Sequence, residues 1–432
     1  MPTITDLPDE LLDEIACLLP KGTLFSLCTV SNRFRPRAAR WLYRCLALAG
    51  NGETIKICKV LISNKLAAIS VRKVLLWPGI AFSRPSLTGG PFYLYLSAFY
   101  NLLSRALSRA TNVESIRLMF PYCGASLSLD ACTFPNLRSF ATTMEPRTLA
   151  SFVKRHPQLQ ELHISPSDLR SIPLSEFSGI CLSSLNSVCL PEPLLFIISP
   201  EAPIQSVLSP EIEDDNEEIP NYIRHLSRYR TTLSDLHLCR PHWNGEILMR
   251  VATSLPKIRA FTFTRMIPGL RHHSNAAFLE ACEAALPFFS SLSHLRIEVA
   301  RHQELPGFAS LSDYRCDFKM VQIWGNKCPT LDVCLFPSGT AWHRIEDNAW
   351  MPDLHHKVAI QWFFDAASTN QFPIDVMGSI QQFCDSTGRI DTLGLLKFRS
   401  PSAMESIDLY PRTEEDEFYS SDSDWGDLEI EE

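Results

Sequence analysis

Apolar residues near the start of the chain recur every three or four positions, as they do in amphipathic helices. Leu11 and Leu18 belong to the first apolar stripe, which Pro20 ends, and two further short stripes follow within residues 7–46. The third helix is expected either to begin near Arg35 or to kink, because a proline at position 36 would otherwise remove a hydrogen bond from the helix interior. Three helices this short bury one apolar layer, so the surplus apolar residues are expected to face a partner.

Farther along the chain, a different pattern places apolar residues at the first, fourth and sixth positions of a short segment. Nine copies start at Val71, Val113, Leu137, Leu159, Leu185, Leu233, Ile258, Leu292 and Leu331, and a weaker copy starts at Ile204. The last two apolar positions of each copy would share one face of a short strand. Helical patterns follow several copies, at residues 92–110, 147–156, 245–255 and 275–286.

One such strand and helix cannot bury its own apolar face, whereas stacked neighbours can. The pattern therefore predicts an irregular solenoid, with copies spaced more widely than in regular repeats. A non-repetitive α/β or α+β domain is the alternative. Residues 211–218 are too charged to pack and are interpreted as a loop ahead of a helix at residues 220–229.

Two helices are predicted after the last copy, at residues 353–367 and 374–384, and they would cap the open end of the array. The chain beyond residue 400 is polar and acidic and is expected to be disordered. The predicted domains are a helical segment (1–48), a repeat region (49–345), a helical C-terminal cap (346–400) and a disordered acidic tail (401–432).

Charge and composition narrow the classes of function. The 432 residues carry a net charge of -8, but residues 412–432 alone contribute ten acidic residues against one arginine. The body is therefore near neutral, and it lacks the basic run with interleaved aromatic residues that favours nucleic-acid binding. No apolar run is long enough to span a membrane, and no basic-then-apolar leader begins the sequence. A cytoplasmic or nuclear protein is expected.

Motifs of catalysis and metal binding are missing from the sequence. The fourteen cysteines include no C-x-x-C pair, so reduced thiols are expected. Histidine doublets at 272–273 and 355–356 lack the spacing of zinc sites, and no H-E-x-x-H, Walker loop or G-x-S-x-G occurs. We therefore expect no catalytic residue, no metal and no cofactor, with an unrecognised hydrolase as a minor alternative.

The N-terminal segment resembles a known family. Leu7-Pro8-x-Glu10-Leu11-Leu12, Val30-Ser31, Arg33-Phe34 and Trp41-Leu42 are similar to the F-box. In that family the segment docks on the adaptor of SCF (cullin-RING) ubiquitin ligases, and through the adaptor on a cullin. By this resemblance, the expected adaptor-binding residues are Leu7, Pro8, Leu11, Ile15, Leu24, Leu27, Val30 and Phe34. An ordinary helical cap on the following domain is the alternative.

An F-box before irregular leucine-rich repeats resembles the F-box/LRR substrate receptors, and residues 323–342 resemble the last strand of divergent members. The resemblance implies an α/β fold and a non-catalytic receptor for an unknown target protein, or alternatively a non-degradative scaffold. Residues expected to line the target-binding face of the strands are Arg117, Glu161, His163, Asp235, His237, His294 and Arg296. In the tail, Ser421 precedes an acidic residue by three positions and is a phosphorylation candidate. The tail is interpreted either as a solubilising segment or as a segment that a basic patch attracts, so that the tail masks the target site.

Overall fold

The computed structural model describes residues 7–77, 90–119, 127–144, 149–165, 174–209, 218–266, 275–300, 311–346, 349–354 and 357–369. The chain divides into two units, Met1–Asp353 and Leu354–Glu432. Residues 211–217 of the loop predicted at 211–218, the second cap helix, the acidic tail with Ser421 and both histidine doublets lie outside the described residues, whereas Glu218 begins a helix.

The first unit begins with three short helices, α1 (Asp9–Cys17), α2 (Lys21–Val30) and α3 (Arg35–Leu42). Pro8 and Pro20 each directly precede a helix, where a missing N–H donor leaves no intrahelical bond unmade. Pro36 lies in the first turn of α3, which confirms the expected start of that helix.

A single sheet follows these helices within the described part of the first unit. Its strands are β1 (Cys45–Leu48), β2 (Lys73–Leu76), β3 (Ser115–Leu118), β4 (Ser139–Thr142), β5 (Glu161–Ile164), β6 (Ser187–Cys189), β7 (Ser206–Leu208), β8 (Asp235–Arg240), β9 (Ala260–Arg265), β10 (His294–Val299), β11 (Val333–Leu335), β12 (Ala341–Glu346) and β13 (Ala349–Pro352). The strands lie side by side in sequence order. All neighbours from β1 to β11 are parallel, and β12 and β13 add an antiparallel hairpin.

Every copy of the repeated apolar pattern lies at a strand. The ten copies, including the weak one at Ile204, correspond in order to β2 through β11. Strand β1 and the hairpin of β12 and β13 were not predicted. Residues 323–342 were expected to contain the last strand, which corresponds to β11. The sheet continues beyond it with β12 and β13.

Helices connect most of the parallel strands, because a parallel neighbour requires a crossover. They are α4 (Asn51–Ser63), α5 (Lys65–Ser70), α6 (Gly90–Arg109), α7 (Ala150–Arg155), α8 (Glu218–Leu226), α9 (Gly245–Ser254), α10 (Asn275–Ala285) and α11 (Leu311–Lys327). The helices predicted near 92–110, 147–156, 220–229, 245–255 and 275–286 are confirmed, whereas α11 was not predicted.

The two faces of the sheet differ sharply in burial. Alternate residues such as Val74 and Leu76 in β2, or Ile116 and Leu118 in β3, are buried in the core. The residues between them form the opposite face, which we call the open face, and most of these are half-buried or exposed. The alternation follows from the two-residue period of a strand.

The second unit contributes one described helix, α12 (Lys357–Ser368). It corresponds to the first of the two helices predicted after the repeats. Within it, Trp362, Phe363 and Ala366 are buried, and Val358 is half-buried. These four residues form the apolar stripe of the helix.

Candidate functional site

The N-terminal helices hold together through a small apolar core. Ala16 of α1, Leu24 of α2 and Ala38 of α3 form its buried centre. Leu19, Leu27, Cys28, Trp41 and Leu42 pack around that centre and are partly buried. Side chains from all three helices therefore contribute to this small cluster.

Polar contacts fasten α1 to the segment around α3. The Asp13 carboxylate accepts a hydrogen bond from Trp41 Nε1 at 3.0 Å and another from Arg40 at 3.2 Å. Arg33 donates to the Leu7 carbonyl at 2.7 Å and to Asp9 at 2.9 Å, and Arg37 also pairs with Asp9. The hydrogen bond from Arg33 lowers the pKa of the Asp9 carboxyl. Asp9 and Asp13 thus hold α1 against the segment around α3.

Large apolar side chains cover part of the outer surface of these helices. The exposed fractions are 44% for Leu11, 38% for Ile15, 84% for Leu18, 64% for Phe25 and 71% for Val30. We call these five residues the apolar patch. They are half of the ten large apolar side chains that are exposed in the part of the chain that the structure describes. Exposed apolar residues concentrated in this way mark a surface that another protein covers.

The residues expected to bind the adaptor separate into two groups. Pro8, Leu11, Ile15 and Val30 are exposed, and Leu7 and Leu27 are half-buried. Leu24 and Phe34 are buried, so they support the surface from beneath and do not form it.

Leu18 and Phe25, two of the most exposed members of the patch, were not among the expected adaptor-binding residues. Leu18 was identifiable, because it follows Leu11 by seven positions, two turns along the same face of the helix. Phe25 was not, because α2 carries apolar residues on several sides and its neighbour Leu24 is the buried one.

A comparison with protein families decides what this segment is. Residues 4–36 match the F-box domain. A search of the curated proteins found no match to the chain. The apolar patch therefore lies entirely within the F-box, whereas the third helix continues past the matched residues to Leu42. F-box domains bind the adaptor subunit of SCF ubiquitin ligases, which links them to a cullin.

The seven residues expected to line the target-binding face lie in two parallel rows on the open face. Pairing between neighbouring strands carries one row from Glu161 through Ser187 and Ser206 to Asp235, and onward to His294. The other row, two residues along each strand, contains Arg117, His163, His237 and Arg296. The strand register thus places all seven on one side of the sheet.

The histidines of the second row are partly withdrawn from solvent. His163 Nε2 lies 3.4 Å from Ser187 Oγ, and His237 Nε2 lies 2.8 Å from Thr264 Oγ1. Burial lowers the pKa of both imidazoles, although Glu161 and Glu298, respectively, act in the opposite direction. Both rings are therefore favoured in their neutral form, as hydrogen-bonding and not as charged groups.

The described residues offer no geometry for metal binding. No group of three His, Cys, Asp or Glu side chains lies close enough to hold an ion in the described ranges. Twelve of the cysteines are free thiols, and burial raises the pKa of Cys58, Cys132 and Cys189 to about 11. Within the helices that are described, none is long and apolar enough to cross a membrane.

Proposed function

We propose that this protein is the substrate-recognition subunit of an SCF-type ubiquitin ligase. The observation that carries the proposal is the apolar patch, which leaves five large side chains exposed within the F-box. A surface of this kind is costly in a free protein and is useful when a partner buries it. In this proposal the adaptor covers the patch.

We call the part of the chain from β1 to β13, with its connecting helices, the sheet domain. We infer that the sheet domain is a divergent leucine-rich-repeat solenoid and that it holds the target protein. Ten successive copies of one apolar pattern fall at ten successive parallel strands, which is the arrangement that stacked repeats require. The open face of the sheet and its two polar rows are the proposed target-binding surface. The chain contributes proximity: tethering raises the effective concentration of target lysines to about the millimolar range, without a catalytic group.

The patch can be tested by adaptor binding. Leu18→Ser combined with Phe25→Ser removes two exposed apolar side chains of the F-box and should abolish capture of purified adaptor in a pull-down. The matched control is Leu174→Ser combined with Phe288→Ser, since these apolar residues are also exposed but lie outside the F-box. Equal capture of adaptor by both double variants would exclude the patch as the docking surface.

A non-degradative scaffold is the second candidate function. The F-box would then serve assembly, and bound proteins would not be turned over. Proteins labelled by a proximity enzyme fused to the chain can be followed for their half-lives in cells. A receptor predicts longer half-lives for bound proteins when the Leu18→Ser, Phe25→Ser variant replaces the wild type, whereas a scaffold predicts unchanged half-lives.

A further inference from the structure

The open face is not uniform along the sheet. Over strands β2 and β3 it carries Lys73, Leu75, Trp77, Arg117 and Met119, which we call the cationic-apolar surface. Lys73 and Arg117 are exposed, Leu75 and Met119 are half-buried, and 61% of the Trp77 side chain is accessible. Trp77 follows directly on β2 and continues its pairing, since its N–H donates to the Leu48 carbonyl at 2.9 Å.

Neighbouring strands leave the Arg117 guanidinium without an anionic partner. Along its row, Arg117 is flanked by Leu75 of β2 and Ala141 of β4, neither of which accepts a side-chain hydrogen bond. On this face the carboxylate of Glu161 lies two strands away in β5, beside His163. In the described part of the chain, neither Arg117 nor Lys73 forms an ion pair.

Two other arginines at the sheet have carboxylate partners. Arg296, in the same row as His237, pairs with Glu298 at 2.8 Å, and Arg72 pairs with Glu114 at 3.5 Å. Among the described residues of the open face, the arginine and lysine side chains without a carboxylate partner therefore lie beside its most exposed aromatic residue, Trp77. Tryptophan and arginine are also the residue types most enriched among those that dominate binding energy in protein interfaces.

We propose that the cationic-apolar surface binds a target segment in which an acidic residue lies close to a large apolar or aromatic residue. This inference rests on the proposed target-binding role of the sheet domain and gives the chemical class of the target. Trp77 would contact the apolar side chain, and Arg117 with Lys73 would pair with the carboxylate. An acidic partner is favoured because neither cation has an ion-pair partner among the described residues, so binding creates ion pairs without breaking any that the structure describes.

Strand geometry sets the spacing of the two groups in the target. Trp77 and Arg117 belong to adjacent strands and are offset by two residues, which separates their Cα atoms by about 8 Å. An extended peptide spans about 7 Å in two residues, and a helix brings positions four apart to a separation of about 6 Å. The acidic residue is therefore expected within two to four positions of the apolar one.

The probe is a displayed library of random twelve-residue peptides, selected on the full chain carrying Leu18→Ser and Phe25→Ser. Those two substitutions prevent peptides from being captured by the apolar patch of the F-box. Selection should enrich peptides that carry Asp or Glu within four positions of Trp, Phe or Leu. Enrichment of basic peptides, or of none, would overturn the proposal.

The most enriched peptide is then labelled and titrated against single variants by fluorescence anisotropy. Trp77→Ser and Arg117→Glu should each weaken binding by about tenfold or more, whereas Trp77→Phe and Arg117→Lys should retain most of the affinity. Arg105→Glu is the control, because Arg105 is an exposed arginine of helix α6 and lies outside the open face. Unchanged affinity of the Trp77→Ser and Arg117→Glu variants would place the peptide site elsewhere.

Adaptor capture by the same variants separates this proposal from the proposed function. Trp77→Ser and Arg117→Glu in the wild-type F-box background should capture adaptor as the wild type does. If the wild type captured no adaptor, the receptor role would fail, while the peptide titration would still decide whether the cationic-apolar surface binds acidic segments. Melting temperatures of the variants show that the exposed substitutions leave the fold intact.

Discussion

The F-box and the sheet domain treat their apolar residues in opposite ways. The F-box exposes five large apolar side chains on about thirty residues and buries only a thin core. The sheet domain buries nearly every alternate strand residue and turns mostly polar or small residues to its open face. A segment too small to need all its apolar residues for stability has them available for binding, whereas a large sheet uses them to hold itself together.

The largest expected change in the free energy of unfolding comes from a buried phenylalanine of the sheet domain. Phe152 of α7 is fully buried and its ring contacts the rings of Phe134, Phe140 and His156. Phe152→Ala should lower the free energy of unfolding by about 3–5 kcal/mol, because it leaves a cavity in the core. Chemical denaturation measures the loss. A change below about 1 kcal/mol would contradict the packing described for the sheet domain.

Phe25 is the matched phenylalanine on the exposed side. Phe25→Ala should change the free energy of unfolding by no more than about 0.5 kcal/mol, because most of the ring is already in solvent. The same variant should weaken adaptor binding by about tenfold or more in a titration by isothermal calorimetry. A Phe25→Ala variant that lost stability and kept adaptor binding would show that Phe25 stabilises the fold and does not bind the adaptor.

A half-buried carboxyl group of the sheet domain, that of Asp317, should make the free energy of unfolding depend on pH. Burial raises the pKa of Asp317 to about 6, from 3.8, against a hydrogen bond from Ser338 at 2.7 Å. Because the folded-state pKa is raised, the stability that this group contributes is complete below about pH 4 and is lost as pH rises to about 6. Asp317→Asn should therefore raise the free energy of unfolding at pH 7 by about 1–3 kcal/mol.

Thermal melting between pH 4 and pH 7 measures this effect. The Asp317→Asn variant should be more stable than the wild type at pH 7 and equally stable near pH 4. Asp332→Asn is the control, since it makes the same substitution at an exposed aspartate. A lower melting temperature of Asp317→Asn at pH 7 would show that the ionised carboxylate stabilises the fold.

In the F-box the pH dependence has the opposite sign. The pKa of Asp9 is lowered, so the stability that its carboxylate contributes is lost as pH falls below 3.8.

The smallest expected effect concerns the contact between α1 and α3. Asp13→Ala removes the acceptor for Trp41 Nε1 and for Arg40, and should cost about 1 kcal/mol of local stability. Hydrogen exchange of the α1 amides measures that cost. Glu14→Ala, an exposed residue of the same helix, should leave the exchange rates unchanged. Equal rates in the two variants would mean that the core alone positions α1.

How much the sequence predicts depends on whether a residue pattern repeats. The copies at Val71 and Leu233 share three apolar positions with seven others, and their recurrence predicted strands that neither copy predicts alone. β1, with the sequence Cys-Leu-Ala-Leu, has no such support, because it directly follows a helix and is only four residues long. The hairpin of β12 and β13 breaks the repeat and was therefore missed.

Helix α11 shows a pattern that could have been found. Tyr314, Phe318, Val321 and Trp324 are buried at intervals of four, three and three residues, which is the period of an amphipathic helix. Within the F-box, the sequence predicted Leu11, Ile15 and Val30 as surface residues but did not separate them from buried Leu24 and Phe34. Apolar residues on a small helical domain look alike until the helices are packed.

The strict order of the sheet bears on how the chain is made. Each parallel strand pairs only with the strand before it and the strand after it, so no strand waits for a partner synthesised much later. Contacts between near neighbours in sequence favour rapid folding, and domains fold as they emerge during synthesis. The F-box leaves the ribosome before the sheet does, and its short helices can fold before β2 exists. We therefore expect the chain to assemble in the direction of translation, with each new strand closing the exposed edge of the one before.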